Sequence, residues 1–234
     1  MIWLSGDTHG EIDLYKVEDF FENLDMYDEV TKKDYLIILG DAGVCWDCGS
    51  SDEYVQNTLH NLPCTVLWID GNHENFDAIE EYPIEEWHGG EVQFIKEDVI
   101  HLMRGQIYDI DGMSFFTFGG GNSIDKSIRT PYVSWWPQEM PNYHEYEIGL
   151  KNLEKNGNKV DFILTHTCPR AVAEELVTYV QPGEEQLQKY LEEISQSVDF
   201  SMWYFGHWHI DETIDGTYRA LWNDIVELNP NDYF

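Results

Sequence analysis

The chain has 234 residues, 42% hydrophobic and 15% aromatic, and its 13 basic against 45 acidic side chains give a formal net charge of −32. That length fits a single domain over residues 1–234, and no run approaches the ~18 apolar residues of a membrane span. The charge excludes a broad nucleic-acid face, because the Lys/Arg surface that releases counterions from a polyphosphate backbone is missing. A small anionic substrate stays open where bound metal ions supply local positive charge.

In chain order, the opening MIWLSGDTHG has neither the basic segment nor the long apolar core of a secretion signal, so a cytoplasmic location is expected. Residues 2–6 (IWLSG) read as a strand. Ile12, Tyr15, Val17, Phe20, Phe21 and Leu24 then recur at roughly helical spacing. YLIILG (35–40) and CTVLWIDG (64–71) are buried strands; a short helix between them covers about Asp52 to Leu62, and another starts near Asn75. This alternation predicts a parallel sheet in the N-terminal half. The middle changes to short strands (VQFI, VIHL, QIYDI, MSFFTF), with Asp111-Gly112 as a hairpin turn. Residues 119–142 show no periodicity and are read as an ordered, functional loop. A helix over Tyr143 to Lys155, a strand at 160–166, a helix over Glu184 to Ser195 and a strand at 200–206 follow. TIDGTYRALW closes the series as a second hairpin.

Five of these strands end in potential ligands: Asp7 and His9, Asp41, Asn72 and His73, His166, and His207 and His209. Ligands bind beyond the carboxyl ends of strands in open α/β sheets. In D-x-H and H-x-H an extended chain would point alternate residues the same way. Imidazole and carboxylate without thiolate suit Mn, Fe, Zn, Co or Ni, and seven ligands call for two divalent ions sharing a carboxylate. Manganese is the favoured ion.

Asp7-Thr8-His9-Gly10, Gly40-Asp41, Gly71-Asn72-His73-Glu74, His166 and Gly206-His207-Trp208-His209 resemble, in that order, the D-x-H, GD, GNH(E/D), H and GHxH blocks of the calcineurin-like metallophosphoesterases. The resemblance spans residues 5–209 and implies an α/β fold, a two-sheet sandwich flanked by helices (αββα) with a dinuclear centre at one edge. It implies Asp7, His9 and His209 on one metal, Asn72, His166 and His207 on the other, and Asp41 bridging. A bridging hydroxide would attack phosphorus, and His73 would be the general acid, oriented by Asp70 or Glu74. The implied activity is hydrolysis of a phosphate mono- or diester, the substrate a small phosphorylated molecule such as a nucleotide or cyclic nucleotide. A phosphoprotein (Ser/Thr) substrate is the alternative, and a non-catalytic scaffold of the same fold is a further one.

One block departs from the family. GDAGVCWD stands where many members read GDxxD or GDxxDRG, so their second carboxylate and phosphate-holding arginine are missing, which weakens the phosphoprotein reading. Arg129 and Arg170 are the replacement candidates for phosphate binding, beside Asn72. Trp135-Trp136 either stack on a base, cover the pocket or pack under the loop. Cys45 and Cys48 form a C-x-x-C pair, but Cys64 and Cys168 are too scattered to complete a zinc site, and Gly49-Ser50-Ser51 breaks a thioredoxin-type pattern. The pair is read as a loop or packing feature, with a redox role the competing view. His60, His88, His101 and His144 match no block and are read as surface or packing residues.

Overall fold

The computed structural model describes residues 1–25 and 29–229. Its first sheet is built on parallel strands β1 (Ile2–Ser5), β2 (Tyr35–Leu39), β3 (Thr65–Ile69) and β6 (Val99–Leu102). Antiparallel β5 (Gly90–Lys96) and β4 (Ile84–Trp87) extend one edge, and β13 (Ile225–Glu227) pairs with β1 at the other. In the second sheet β8 (Met113–Phe118), β9 (Phe162–Thr165), β10 (Met202–Phe205) and β12 (Tyr218–Ala220) are parallel. The antiparallel strands β7 (Gln106–Ile110) and β11 (Glu212–Ile214) close its edges. The helices are α1 (Tyr15–Glu22), α2 (Ser50–Asn61), the single turn α3 (Phe76–Ile79), α4 (Tyr143–Lys155), α5 (Arg170–Leu176) and α6 (Glu185–Ser197).

The central strands are buried at almost every position because both faces are covered. Ile2, Leu4, Ile37, Leu39 and Leu67 face Phe115, Phe162, Leu164 and Tyr204 across the sandwich interior. The alternate residues Trp3, Leu36, Ile38 and Trp68 pack under Val17 and Phe21 of α1 and Val55 and Leu59 of α2. On the opposite side Phe116, Ile163, Trp203 and Phe205 meet Leu153 of α4 and Leu187, Leu191 and Ile194 of α6. The result is the expected αββα layering.

Most elements fall where the sequence puts them, including both hairpins: Asp111 and Gly112 both have positive φ (53° and 79°), as a two-residue primed turn requires. Three elements carry no sequence signal. Strand β4 reads IEEW with Ile84, Glu85 and Glu86 exposed, β13 is a three-residue edge, and α5 is a short helix after Pro169. Edge strands lack the apolar alternation on which a reading of periodicity depends. No helix is long and apolar enough to cross a membrane.

Candidate metal centre

Parallel strands end on one side, so β1, β2 and β3 deliver Asp7, Asp41 and Asn72 to the same edge at which β9 and β10 deliver His166 and His207. The loops are stitched together by backbone: the Thr8 and His9 N–H groups donate to the Asp41 carbonyl (3.2 and 2.7 Å), and Gly206 N–H donates to that of His166 (2.9 Å). Glycines allow this approach. A Cβ on Gly71 would lie 2.0 Å from Asp41 Oδ1, and one on Gly40, already at φ +89°, 2.1 Å from His166 Nδ1.

Three overlapping groups result, Asp7–His9–His209, His9–Asp41–His73 and Asp7–Asp41–His166, each with one ligand atom per residue within 4.8 Å of the others. His209 Nε2 is 3.1 Å from Asp7 Oδ2, His9 Nε2 3.4 Å from Asp41 Oδ2, and His166 Nε2 3.4 Å from Asp41 Oδ1. Asn72 Oδ1 lies 3.2 Å from His166 Nε2, and the His207 ring is 4.9 Å from that of His166. Asp41 stands between both sets.

Each donor is aimed by a partner behind it. His166 Nδ1 donates to the Leu39 carbonyl (2.8 Å) and His9 Nδ1 faces Asp13 Oδ2 (3.1 Å), which leaves both Nε2 atoms for the centre. Asn72 donates from Nδ2 to Ser123 Oγ (3.2 Å), and Ser123 donates to buried Glu139 (2.6 Å), so Asn72 Oδ1 points inward. His207 Nε2 is 3.4 Å from Glu184 Oε1, leaving Nδ1. Of these supporting residues only Asp13 is near the group it supports in sequence, four residues after His9. Ser123, Glu139 and Glu184 lie far away in sequence.

The backbone here is strained. His9, Asp41, His207 and His209 all adopt left-handed φ (45°, 48°, 66° and 51°). Such conformations cost on the order of 1 kcal/mol each in non-glycine residues and cluster at functional sites. They also correct the extended reading of D-x-H and H-x-H: tight turns, not strand alternation, aim the paired side chains.

The electrostatics call for cations. Burial would raise the Asp41 carboxyl, yet His166, His9 and His73 hold it well below the ordinary carboxylate value. Burial would likewise depress His9, but Asp41 and Asp7 push it up to about 9. Fully buried Asp7 and nearly buried Asp41 thus draw protons onto neighbouring imidazoles, the deficit that metal ions make good. The donor set and its convergence fit a dinuclear metal site.

Other expected roles are redistributed. Neither Asp70 nor Glu74 orients His73. Asp70 is engaged by Arg104 Nε (2.8 Å) and His101 Nε2 (3.3 Å), and Glu74 accepts from the Ala42 N–H (2.8 Å). Burial, reinforced by Asp41, raises the Glu74 carboxyl well above the usual range. His73 is held instead through its main-chain N–H on Asp41 Oδ1 (2.7 Å). Arg170 lies away from the cavity, on α5, paired with Glu174 in a surface hollow with Glu185 and Glu192. Arg129 is bound to Asp125 (2.7 Å), which lines the cavity. Trp136 is buried, donates to Asp77 and packs on Trp46, so it packs under the loop, while Lys126 Nζ lies 5.1 Å from the Trp135 ring. His101 stacks on Trp68, His60 pairs with Asp98, His88 bonds the Asp109 carbonyl and His144 is exposed on α4.

The end of the GDAGVCWD segment is tied to the first turn of α2: the Asp52 carboxylate accepts from the N–H groups of Trp46, Asp47 and Cys48 (2.9–3.1 Å). Among the described residues all four thiols are free, and no candidate metal group includes one. Burial pushes Cys45 far up, and Cys48 is raised by desolvation and by Asp52, the reverse of a reactive thiolate. Replacing Cys48 by Ser together with Cys45 by Ala is expected to leave phosphoester turnover within about twofold of the parent. A large loss of turnover with metals retained would revive the redox view.

Comparison with known proteins agrees with this geometry. The sequence profile of the calcineurin-like phosphoesterases matches residues 1–211, and the chain belongs to that family, a metal-dependent hydrolase family. Among solved structures, the phosphopantetheinyl hydrolase of Mycobacterium tuberculosis superposes with a TM-score of 0.50 at 16% identity, over 94% of this chain and 89% of that one. A candidate 5′-nucleotidase from Staphylococcus aureus gives a TM-score of 0.53 at 15% identity, covering 98% of this chain but 51% of its own. At such identities the likeness is one of fold. No protein of curated function matches the sequence.

Proposed function

We propose that this chain is a cytoplasmic, single-domain phosphoesterase that hydrolyses a phosphate mono- or diester of a small molecule through two divalent ions, manganese favoured. The observation that carries this reading is the convergence of eight ligand and acid candidates from five strand ends, with Asp41, Asn72, His73, His207 and His209 lining one cavity. Asp7, His9 and His209 would hold one ion, Asn72, His166 and His207 the other, with Asp41 available to both. Ions held there would supply Lewis acidity toward phosphoryl oxygens and toward water near neutral pH.

The chain's own residues do the rest. Asp13, the Leu39 carbonyl, Ser123 and Glu184 keep donor atoms turned inward, which spares the site reorganisation when substrate binds. Asn72 also stands where it can meet a phosphate oxygen. His73 lines the cavity on a main-chain tether, and its Nε2 is 4.0 Å from Asp41 Oδ2. Burial lowers its pKa, so its imidazolium is a stronger acid than a free one, suited to giving a proton to the leaving oxygen.

His73→Ala is expected to lower kcat for 4-nitrophenyl phosphate or its bis-ester by about 10²–10⁴-fold. Metal content by mass spectrometry should stay at two per chain. Joint loss of metal and activity would make His73 a structural residue or a ligand instead.

A further inference from the structure

The cavity in front of the histidines has a volume of about 420 Å³. Beyond the candidate ligands it is lined by Asn122, Ile124, Asp125, Gln181, Glu184 and Trp208, with no lysine or arginine. The nearby cations on the 119–142 loop are already spoken for. Lys126 Nζ is 2.7 Å from Glu139 and from Asn122 Oδ1, and Arg129 Nε is 2.7 Å from Asp125. Among the described residues the cavity therefore offers a second anionic group on a substrate no free cation, since Arg129 is paired with Asp125 and Lys126 with Glu139, on a protein whose net charge is −32.

The same loop offers apolar surface instead. Ile124 lines the cavity while 71% exposed, and Ile128 and Val133 follow on the loop at 84% and 67%. Single exposed aliphatic residues need no explanation, and Ile124 is set apart from the other two by lining the cavity. Trp208, between candidate ligands His207 and His209, adds an aromatic wall continuous with the site.

We propose that the leaving group of the substrate is an uncharged, predominantly apolar alcohol seated on Ile124 and Trp208, in a cavity with no free cation to hold a second anionic group. This rests on the phosphoesterase reading above. In the reaction the phosphorus–oxygen bond to that alcohol breaks and one to the oxygen of water forms. Water supplies, in net terms, the proton the alcohol gains, and nothing is oxidised or reduced.

Binding of non-hydrolysable phosphonates to the Mn²⁺-loaded protein, by calorimetry and with inorganic phosphate as competitor, tests this. Octylphosphonate should bind at least about tenfold tighter than ethylphosphonate, and at least about tenfold tighter than 7-carboxyheptylphosphonate, since buried methylenes add affinity and a terminal carboxylate removes it. Ile124→Asp should cut the octyl-to-ethyl ratio below about threefold. Equal affinities for the three ligands, or tighter binding of the carboxylated one, would overturn the proposal. Hydrolysis of 4-nitrophenyl phosphate and its bis-ester on the same sample reports separately on the phosphoesterase reading. Turnover with unranked phosphonates would sink only the leaving-group inference; ranked phosphonates without turnover would sink the enzymatic reading and the leaving-group role with it, leaving an apolar binding pocket.

Discussion

Asp41→Asn is expected to lose metal and activity together, with mass spectrometry showing fewer than two ions per chain. Hydrolysis of 4-nitrophenyl esters should fall by at least about 100-fold, the upper end of what outer-shell partners of a metal cost. The substitution is a clean one. Asparagine tolerates the left-handed φ of 48° at this position, and its side-chain oxygen can still accept from the His73 N–H. The variant should therefore fold with an unchanged circular dichroism spectrum. Two ions and full turnover in Asp41→Asn would show that this carboxylate is not shared between the metals.

The largest stability effect should come from Arg104. This buried guanidinium donates to Asp70 from Nε and Nη2 (2.8 and 2.5 Å), to Glu145 from Nη1, and to the carbonyls of Gln138 and Glu139. It ties the end of β3 to the loop before α4, immediately behind Gly71 and Asn72. Arg104→Met strands the Asp70 charge in the interior, and urea unfolding should report a loss of about 3–5 kcal/mol. Asp70→Asn combined with Arg104→Met should cost less than the sum of the two single changes, because neither charge is left alone. The pair also sets an acid limit. Burial opposes ionisation of Asp70, but Arg104 and His101 hold its pKa at about 2 against an ordinary 3.8. Its stabilising contribution is therefore complete above pH 3.8 and is lost as pH falls through about 2. It amounts to about 2 kcal/mol, and acid titrations of the parent and Asp70→Asn should differ by that amount.

The parts of this molecule legible in the sequence are those whose signal is local. Strands β1, β2, β3, β9 and β10 announce themselves as apolar runs ending in Gly-Asp, Asn-His or Gly-His, and the order of those endings names the family. What stayed hidden is what depends on distant chain segments meeting. Glu184 and Glu139 are two of 45 acidic residues until the fold sets one beside His207 and the other beneath Ser123. Arg104 sits after a strand with no motif around it, and its partner Asp70 reads naturally, and wrongly, as a helper of His73. The two arginines chosen for phosphate were chosen for charge and loop position. The fold spends Arg170 on Glu174 and Arg129 on Asp125.

The edge at which the two sheets meet has a mechanical meaning. Each proposed metal set draws ligands from both halves of the sandwich: Asp7, His9 and Asn72 follow strands of the first sheet, His166, His207 and His209 strands of the second. Ions seated there would rivet the halves along a seam that otherwise carries the left-handed strain of His9, Asp41, His207 and His209. Ligand binding confined to the native state raises stability by mass action, about 4 kcal/mol at a thousandfold excess over Kd. Chelation should accordingly lower the melting temperature and quicken hydrogen exchange in the turns after β1, β2, β9 and β10 before it reaches the helices, and Mn²⁺ should reverse both. Catalysis and the joining of the sandwich then draw on the same few bonds, and a cell short of metal would lose the enzyme's rigidity along with its activity.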